Sequence, residues 1–244
     1  MPPFDQLNDR EKTETHKGFC ARCEQSIHNF CSGLPLEETQ HLESILSQIQ
    51  YETHSTIFRE GDAAQNLYSV GSGAVKLYKL LPDGRRQITA FLFRGNFFGL
   101  SNNGSYSYTA EAMTPVSLCR FPKKKLDELF ESHPKLEKRM LEATTGELVA
   151  AQDQFLMLGR KTAREKVATF LVNLCVRLAP EHETLQNLTL PMNRSDIADF
   201  LGLTIETVSR TLTVMKRDKL ISLPDANHVI IELPDALAHI AEGS

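Results

Sequence analysis

The chain has 244 residues, 41% of them hydrophobic, enough to bury a sizeable core in two domains plus a connector. No run approaches the roughly 18 apolar residues of a membrane span, and the polar start MPPFDQLNDREKTETHKG carries no apolar secretory stretch, so no membrane contact and a cytoplasmic location are expected. The net charge of -4 gives no overall attraction to phosphates, but residues 160 to 219 hold ten Lys/Arg against seven Asp/Glu, so a nucleic-acid surface would have to be local and C-terminal.

The first 33 residues are polar and lack periodicity apart from Cys20, Cys23 and Cys31, and order is expected there only around a bound centre. Cys119 follows 88 positions after Cys31, among short predicted strands. In a reducing compartment the five cysteines read as thiols or metal ligands rather than disulfides. Three closely spaced thiolates can wrap one soft metal centre, and a fourth from a strand would tie that centre to the folded body. Four thiolates suit tetrahedral zinc as well as an iron-sulfur cubane, and spacing alone does not choose. Cys175, between Leu174 and Val176, reads as a small buried hydrophobe on an apolar helix.

Leu42, Ile45, Leu46 and Ile49 recur at helical spacing and predict a short helix over Leu34 to Ile49. From Thr53 to Pro122 the pattern changes to short strands at Thr56 to Phe58, Leu67 to Val70, Val75 to Leu80, Gln87 to Phe93 and Val116 to Phe121. Turn signals such as Gly71-Ser72-Gly73, Pro82-Asp83-Gly84 and Arg94-Gly95-Asn96 separate them. Strands so spaced imply an antiparallel roll or sandwich. Pro134 then opens a helix that runs without an interior proline to about Leu158. Leu141, Leu148 and Phe155 recur along it every seven residues, with Thr144, Ala151 and Leu158 filling in. Such a stripe is a dimer seam or a face buried on its own domain. The helix's length favours the seam, because a helix joining two small domains has few partners along its course.

Residues 193 to 217 carry the most specific chemistry. Asn193 and Asp196 can cap a helix whose apolar face holds Ile197, Ala198 and Leu201, Gly202 gives a turn, and Thr204 caps a second helix. Ile205, Val208, Leu212 and Met215 cluster on one side of that second helix; Glu206, Ser209, Arg210, Thr213 and Arg217 lie opposite. A helix, a tight turn and a second helix with an arginine-bearing front form a helix-turn-helix, which enters the major groove by the N-terminal end of its second helix. Arginine can donate two bonds to guanine and glutamate can accept from cytosine, so Glu206, Ser209 and Arg210 are the expected base readers. Arg194, Ser195, Thr204, Thr207, Thr213, Lys216 and Arg217 are placed to hold and position phosphates of double-stranded DNA. The competing reading is a generic amphipathic helix with a solvated face. Leu220 to Ser222 and His228 to Ile231, around Asp225-Ala226-Asn227, predict a two-stranded wing. The histidines are scattered and form no nucleophile-base or H-E-x-x-H pattern, so no enzyme is expected.

In this order the parts resemble the CRP/FNR superfamily of bacterial transcription regulators, most specifically over Asn193 to Arg210, NRSDIADFLGLTIETVSR, with the E-x-x-S-R arrangement of the FNR type at Glu206, Ser209 and Arg210. The resemblance implies an α+β chain: a cysteine-rich tail at 1–33, an antiparallel, cyclic-nucleotide-binding-like β-roll (jelly roll) at 34–133, a dimerisation helix at 134–160 and a winged helix-turn-helix at 161–244. It further implies a homodimer on two-fold related sites resembling TTGAT and ATCAA. Cys20, Cys23, Cys31 and Cys119 match the places that hold an oxygen-sensing [4Fe-4S] cluster in that subgroup, with a structural zinc site or other redox thiol chemistry as the alternative. The tail spacing is C-x2-C-x7-C where the best-known members have C-x2-C-x5-C, and Ala151 stands in the seam where some relatives carry an acidic residue. The cAMP pocket of the superfamily needs a glutamate and an arginine that Phe97-Phe98-Gly99-Leu100 and Tyr108-Thr109-Ala110 do not supply, so no cAMP is expected. By the same resemblance the turn Leu81-Pro82-Asp83-Gly84-Arg85 is a candidate RNA polymerase contact.

Overall fold

The computed structural model describes residues 36–178 and 187–243. Cys20, Cys23 and Cys31 lie outside the described residues, so the expected thiol tail is represented only by its strand partner, Cys119. Chain order is α1 (Leu36–Ile45), β1 (Ser47–Tyr51), β2 (Thr56–Phe58), β3 (Asn66–Ser72), β4 (Val75–Leu80), β5 (Arg86–Leu92), β6 (Phe97–Phe98), β7 (Thr109–Ala112) and β8 (Val116–Pro122). The helices α2 (Lys123–Ser132), α3 (Pro134–Arg160) and α4 (Ala163–Leu178) follow. The C-terminal part holds β9 (Asn187–Thr189), α5 (Arg194–Leu201), α6 (Ile205–Arg217), β10 (Ile221–Ser222), β11 (His228–Ile231) and α7 (Pro234–Glu242).

Two four-stranded antiparallel sheets, β1-β8-β3-β6 and β2-β7-β4-β5, form the roll. Their inner faces meet through Val70, Val75, Leu77, Ala110, Ala112, Val116 and Leu118. Because side chains alternate across a strand, β8 turns Leu118 inward and Cys119 outward, into a separate cluster with Leu42, Leu67, Phe121, Leu126, Leu136 and Met140. That outer cluster is the seat of α1, α2 and the start of α3. The opposite outer face, with Ala74 from the β3–β4 turn, Ile88, Phe91 and Phe93, joins Met157 of α3 and the apolar interior of the C-terminal part in one continuous core.

The predicted helix over Leu34 to Ile49 is corrected: helix ends at Ile45 and Ile49 lies in β1, paired with Leu118. Two apolar clusters, under α1 and between the sheets, satisfy in turn the residues that read as one helical stripe. The wing is also corrected, from two strands to three, because β9 pairs with β11 along Leu188↔Val229 and completes the order β10-β11-β9. The long helix is present and spans Pro134–Arg160. Cys175 is buried in α4, and burial pushes its thiol up to about 11, the behaviour of an inert packing residue. No helix among the described residues is long and apolar enough to cross a membrane.

Candidate nucleic-acid interface and thiol site

Asn193 sits in extended backbone at the start of α5, and its side-chain oxygen accepts the Asp196 amide at 2.8 Å, as a cap should. Gly202 ends α5 at φ 61° and ψ 42°, the left-handed region that a side chain resists. Thr204 caps α6 by accepting the Thr207 amide at 3.2 Å, and the two hydroxyls lie 3.1 Å apart. The rear of α6 is anchored by Val208, Leu212 and Met215, each almost wholly buried and each worth roughly 2 kcal/mol of transfer free energy. That anchor fixes the front: Glu206, Ser209, Arg210, Thr213 and Arg217 are exposed along one stripe.

The front residues differ in readiness. The Glu206 carboxylate accepts from its own backbone N–H and from the Thr204 hydroxyl, which holds its carboxyl below the usual range and keeps it an ionised acceptor at the positive end of the helix. Arg210 and Lys216 are exposed, the Thr213 hydroxyl donates to the Ser209 carbonyl at 2.9 Å, and Arg217 lies 3.5 Å from the carboxylate of Asp218. Ser195 is exposed at the start of α5. Arg194 is half-buried with one terminal nitrogen sealed from solvent and without a hydrogen-bond partner among the described residues, and burial pulls its guanidinium pKa down, so only part of the group is open to a phosphate. In the wing, Asp225 accepts the amides of Asn227 and His228 and faces His228 Nδ1 at 2.7 Å, bonds that hold its carboxyl low and stiffen the tip.

Periodicity groups Ile205 with the rear face, but it is 44% exposed beside Glu206. An apolar side chain at the entering end of this helix suits the methyl of thymine. Its position as the first residue after the Thr204 cap was the available signal, because the first turn has no preceding turn to bury it.

The seam residues divide. Leu141, Leu148 and Phe155 are 66%, 59% and 72% exposed, joined on that side by Val149 and Leu156, and Ala151 is exposed with them. Thr144 is half-buried and donates to the Met140 carbonyl. Leu158 departs from the expectation: it is partly buried and faces Gly202 of the helix-turn-helix, close enough to touch any side chain placed there. Only Leu136, Met140 and Met157 are buried in α3, so both ends are fixed in cores and the centre lies bare.

Cys119 is 5% exposed at the centre of β8, between Gln48 of β1 and Ser69 of β3. It shares its apolar cluster with Leu42, and with Ile45 and Leu46 packed against it, so the chain leaving the cysteine segment docks on the same ground. Among the described residues no group of three or more possible metal ligands forms. A shallow hollow of about 340 Å3 is lined by Leu100, Ser101, Asn102, Asn103, Ser105 and Ser107, none of them charged.

A β-roll, a long helix with a bare centre and a winged helix-turn-helix whose second helix has an exposed polar face define a DNA-binding regulator. Comparison agrees: residues 48–133 match the cyclic nucleotide-binding domain and residues 165–240 the Crp-like helix-turn-helix domain. The chain is 41% identical over 221 residues to the transcriptional activatory protein AadR of Rhodopseudomonas palustris, covering 89% of this chain and 92% of that protein. It is 39% identical to the nitrogen fixation regulation protein FixK of Bradyrhizobium diazoefficiens, covering 86% and 89%. The structure of FixK2 from Bradyrhizobium japonicum superposes with a TM-score of 0.76 at 37% identity, covering 80% of this chain and 97% of that one. The chain belongs to the CRP/FNR family of transcription regulators, of the FNR and FixK kind, and is not an enzyme.

Proposed function

We propose that the protein is a homodimeric regulator that reads two-fold related half-sites resembling TTGAT and ATCAA and is gated by redox state through its N-terminal thiols. The observation that carries the reading is the free stripe Glu206, Ser209 and Arg210 at the entering end of α6, the E-x-x-S-R set of the FNR type. A second copy against Leu141, Leu148 and Phe155 covers the bare centre of α3 and duplicates the reading head by two-fold symmetry.

For the gate, the donor set is Cys20, Cys23, Cys31 and Cys119. One described donor fits: Cys119 is a thiol in an apolar, shielded setting at the place where the chain from the cysteine segment docks, and four thiolates suit a [4Fe-4S] cluster. When bound, such a cluster supplies an oxygen-labile centre. Cys119 would then link the tail to the cluster of apolar residues that seats Leu136 and Met140, the root of α3. Phe97-Phe98-Gly99-Leu100 and Tyr108-Thr109-Ala110 lack the glutamate and arginine of a cAMP pocket, so the thiols are the expected input. RNA polymerase is the expected protein partner of the promoter-bound dimer, and the exposed turn at Leu81 to Arg85 its candidate contact. Zinc on the same thiols is the second reading. Purification without oxygen, followed by iron, sulfide and absorbance measurement, is expected to give a coloured protein with near four irons per chain and tighter binding to the paired site than after air exposure. A colourless protein with one zinc per chain, indifferent to air, decides for the alternative.

A further inference from the structure

The roll and the reading head are locked by charge as well as by apolar contact. On β4, Lys76 Nζ lies 3.1 Å from Asp196 of α5 and 3.2 Å from Glu111 of β7. Lys76 and Asp196 are each only 5% exposed at the side chain. From β5, Arg86 bridges Asp196 at 2.7 Å and Asp199 at 2.8 Å. Its guanidinium is set 5.5 Å over the Tyr78 ring. Burial alone would lower the Arg86 pKa, and the Asp199 and Asp196 carboxylates outweigh it and leave the group firmly charged. Asp196 and Asp199 are three residues apart and so share one face of α5. Beside them the Phe200 carbonyl accepts Gln154 of α3 at 3.0 Å and Gln87 of β5 at 3.4 Å. Phe91 of β5 and Phe170 of α4 pack on the Phe200 ring at 5.0 and 5.8 Å between centroids.

We propose that Lys76 and Arg86 are positioning residues for operator recognition: by gripping Asp196 and Asp199 they set the angle of the helix-turn-helix on the roll, and hence the half-site spacing that a dimer accepts. This rests on the two-fold reading above. Three features support it. A buried ion pair adds little net stability, because desolvation cancels much of the attraction, but separating its partners strands a buried charge and is costly, so it resists a change of angle. The grip touches the first helix of the pair and leaves the reading face of α6 open, so it orients the head without occluding it. Its tolerance is also fine enough. Hydrogen bonds of this kind weaken when stretched by about half an ångström, whereas one base pair of added spacing moves a half-site by about 3.4 Å along the DNA.

The test uses the full-length protein, under the conditions in which the paired site is bound. Duplexes carry TTGAT and ATCAA separated by two to six base pairs, and one further duplex carries a single half-site. The unaltered protein should prefer one spacing by about tenfold or more over its neighbours. Arg86→Gln and Asp199→Asn, both at partly exposed positions, should each flatten that preference severalfold while single half-site affinity and the sedimentation coefficient hold. Arg86→Lys, which keeps a cation against both carboxylates, should retain most of the preference that Arg86→Gln loses, a difference that packing alone would not predict. Lys76→Met should act in the same direction as Arg86→Gln. Spacing preference that survives Arg86→Gln and Asp199→Asn overturns the proposal and spares the two-fold reading. No spacing preference in the unaltered protein overturns the two-fold reading and the proposal with it.

Discussion

At the scale of single residues the proposed reading head rests on a few exposed side chains whose backbone is set by caps. Arg210 stands free on the front of α6, and no other arginine shares the entering half of that helix. Arg210→Ala should therefore weaken binding to the paired site by about 1–3 kcal/mol per half-site. Binding to unrelated duplex should change far less. Fluorescence anisotropy against both duplexes at one salt concentration measures the difference, and equal loss on the two would mean that Arg210 holds a phosphate and reads nothing. The caps Asn193 and Thr204 and the turn at Gly202 were legible from sequence, because capping chemistry is local and needs no tertiary partner. Arg194 was harder: a charged residue after a cap reads as solvated, and only the fold shows one of its nitrogens sealed in. The grip of Lys76 on Asp196 spans 120 positions, and no pattern within either segment announces it.

Elements were legible in proportion to how far their sequences decide their own structure. The long helix and the helix-turn-helix carry their period and punctuation with them. By contrast β7, Thr109–Ala112, has the sequence TAEA with little strand propensity and exists because β2 and β4 flank it. The α1–β1 boundary lacks glycine or proline, so the apolar spacing ran on across it. The turn between β3 and β4 shows how tightly the roll constrains its own punctuation. Gly73 has φ +83°, and a Cβ there would meet the Pro115 carbonyl oxygen at 2.4 Å, whereas at Gly84, φ +85°, nothing lies within 4 Å. Gly84→Ala should cost only the left-handed penalty, about 1–2 kcal/mol. Gly73→Ala adds a backbone clash of about 1–3 kcal/mol to that penalty. Urea unfolding should rank the two in that order, and equal midpoints would show that the β3–β4 turn relaxes freely.

For the whole molecule, the question is what covers the centre of α3. Its ends are fixed in two cores, through Leu136 and Met140 in one and Met157 in the other, while Leu141, Leu148, Val149, Phe155 and Leu156 stay in water. A contiguous apolar stripe of this kind marks an association surface, and its seven-residue recurrence fits a partner helix of the same period. Symmetry sharpens the prediction, since each substitution counts twice in a two-fold dimer. Leu148→Ala removes roughly 2 kcal/mol of burial per copy, or about 4 kcal/mol per dimer, which raises the dimer dissociation constant by about a thousandfold. Phe155→Glu should raise it further, because it sets two like charges in an apolar seam. Neither change removes a contact buried within one chain, so the thermal midpoint of the monomer should hold. Analytical ultracentrifugation across a concentration series reads the first effect and circular dichroism the second. A dimer that survives both substitutions would mean that α3 faces some other partner, and a collapsed melting curve would mean that the stripe is buried on its own domain.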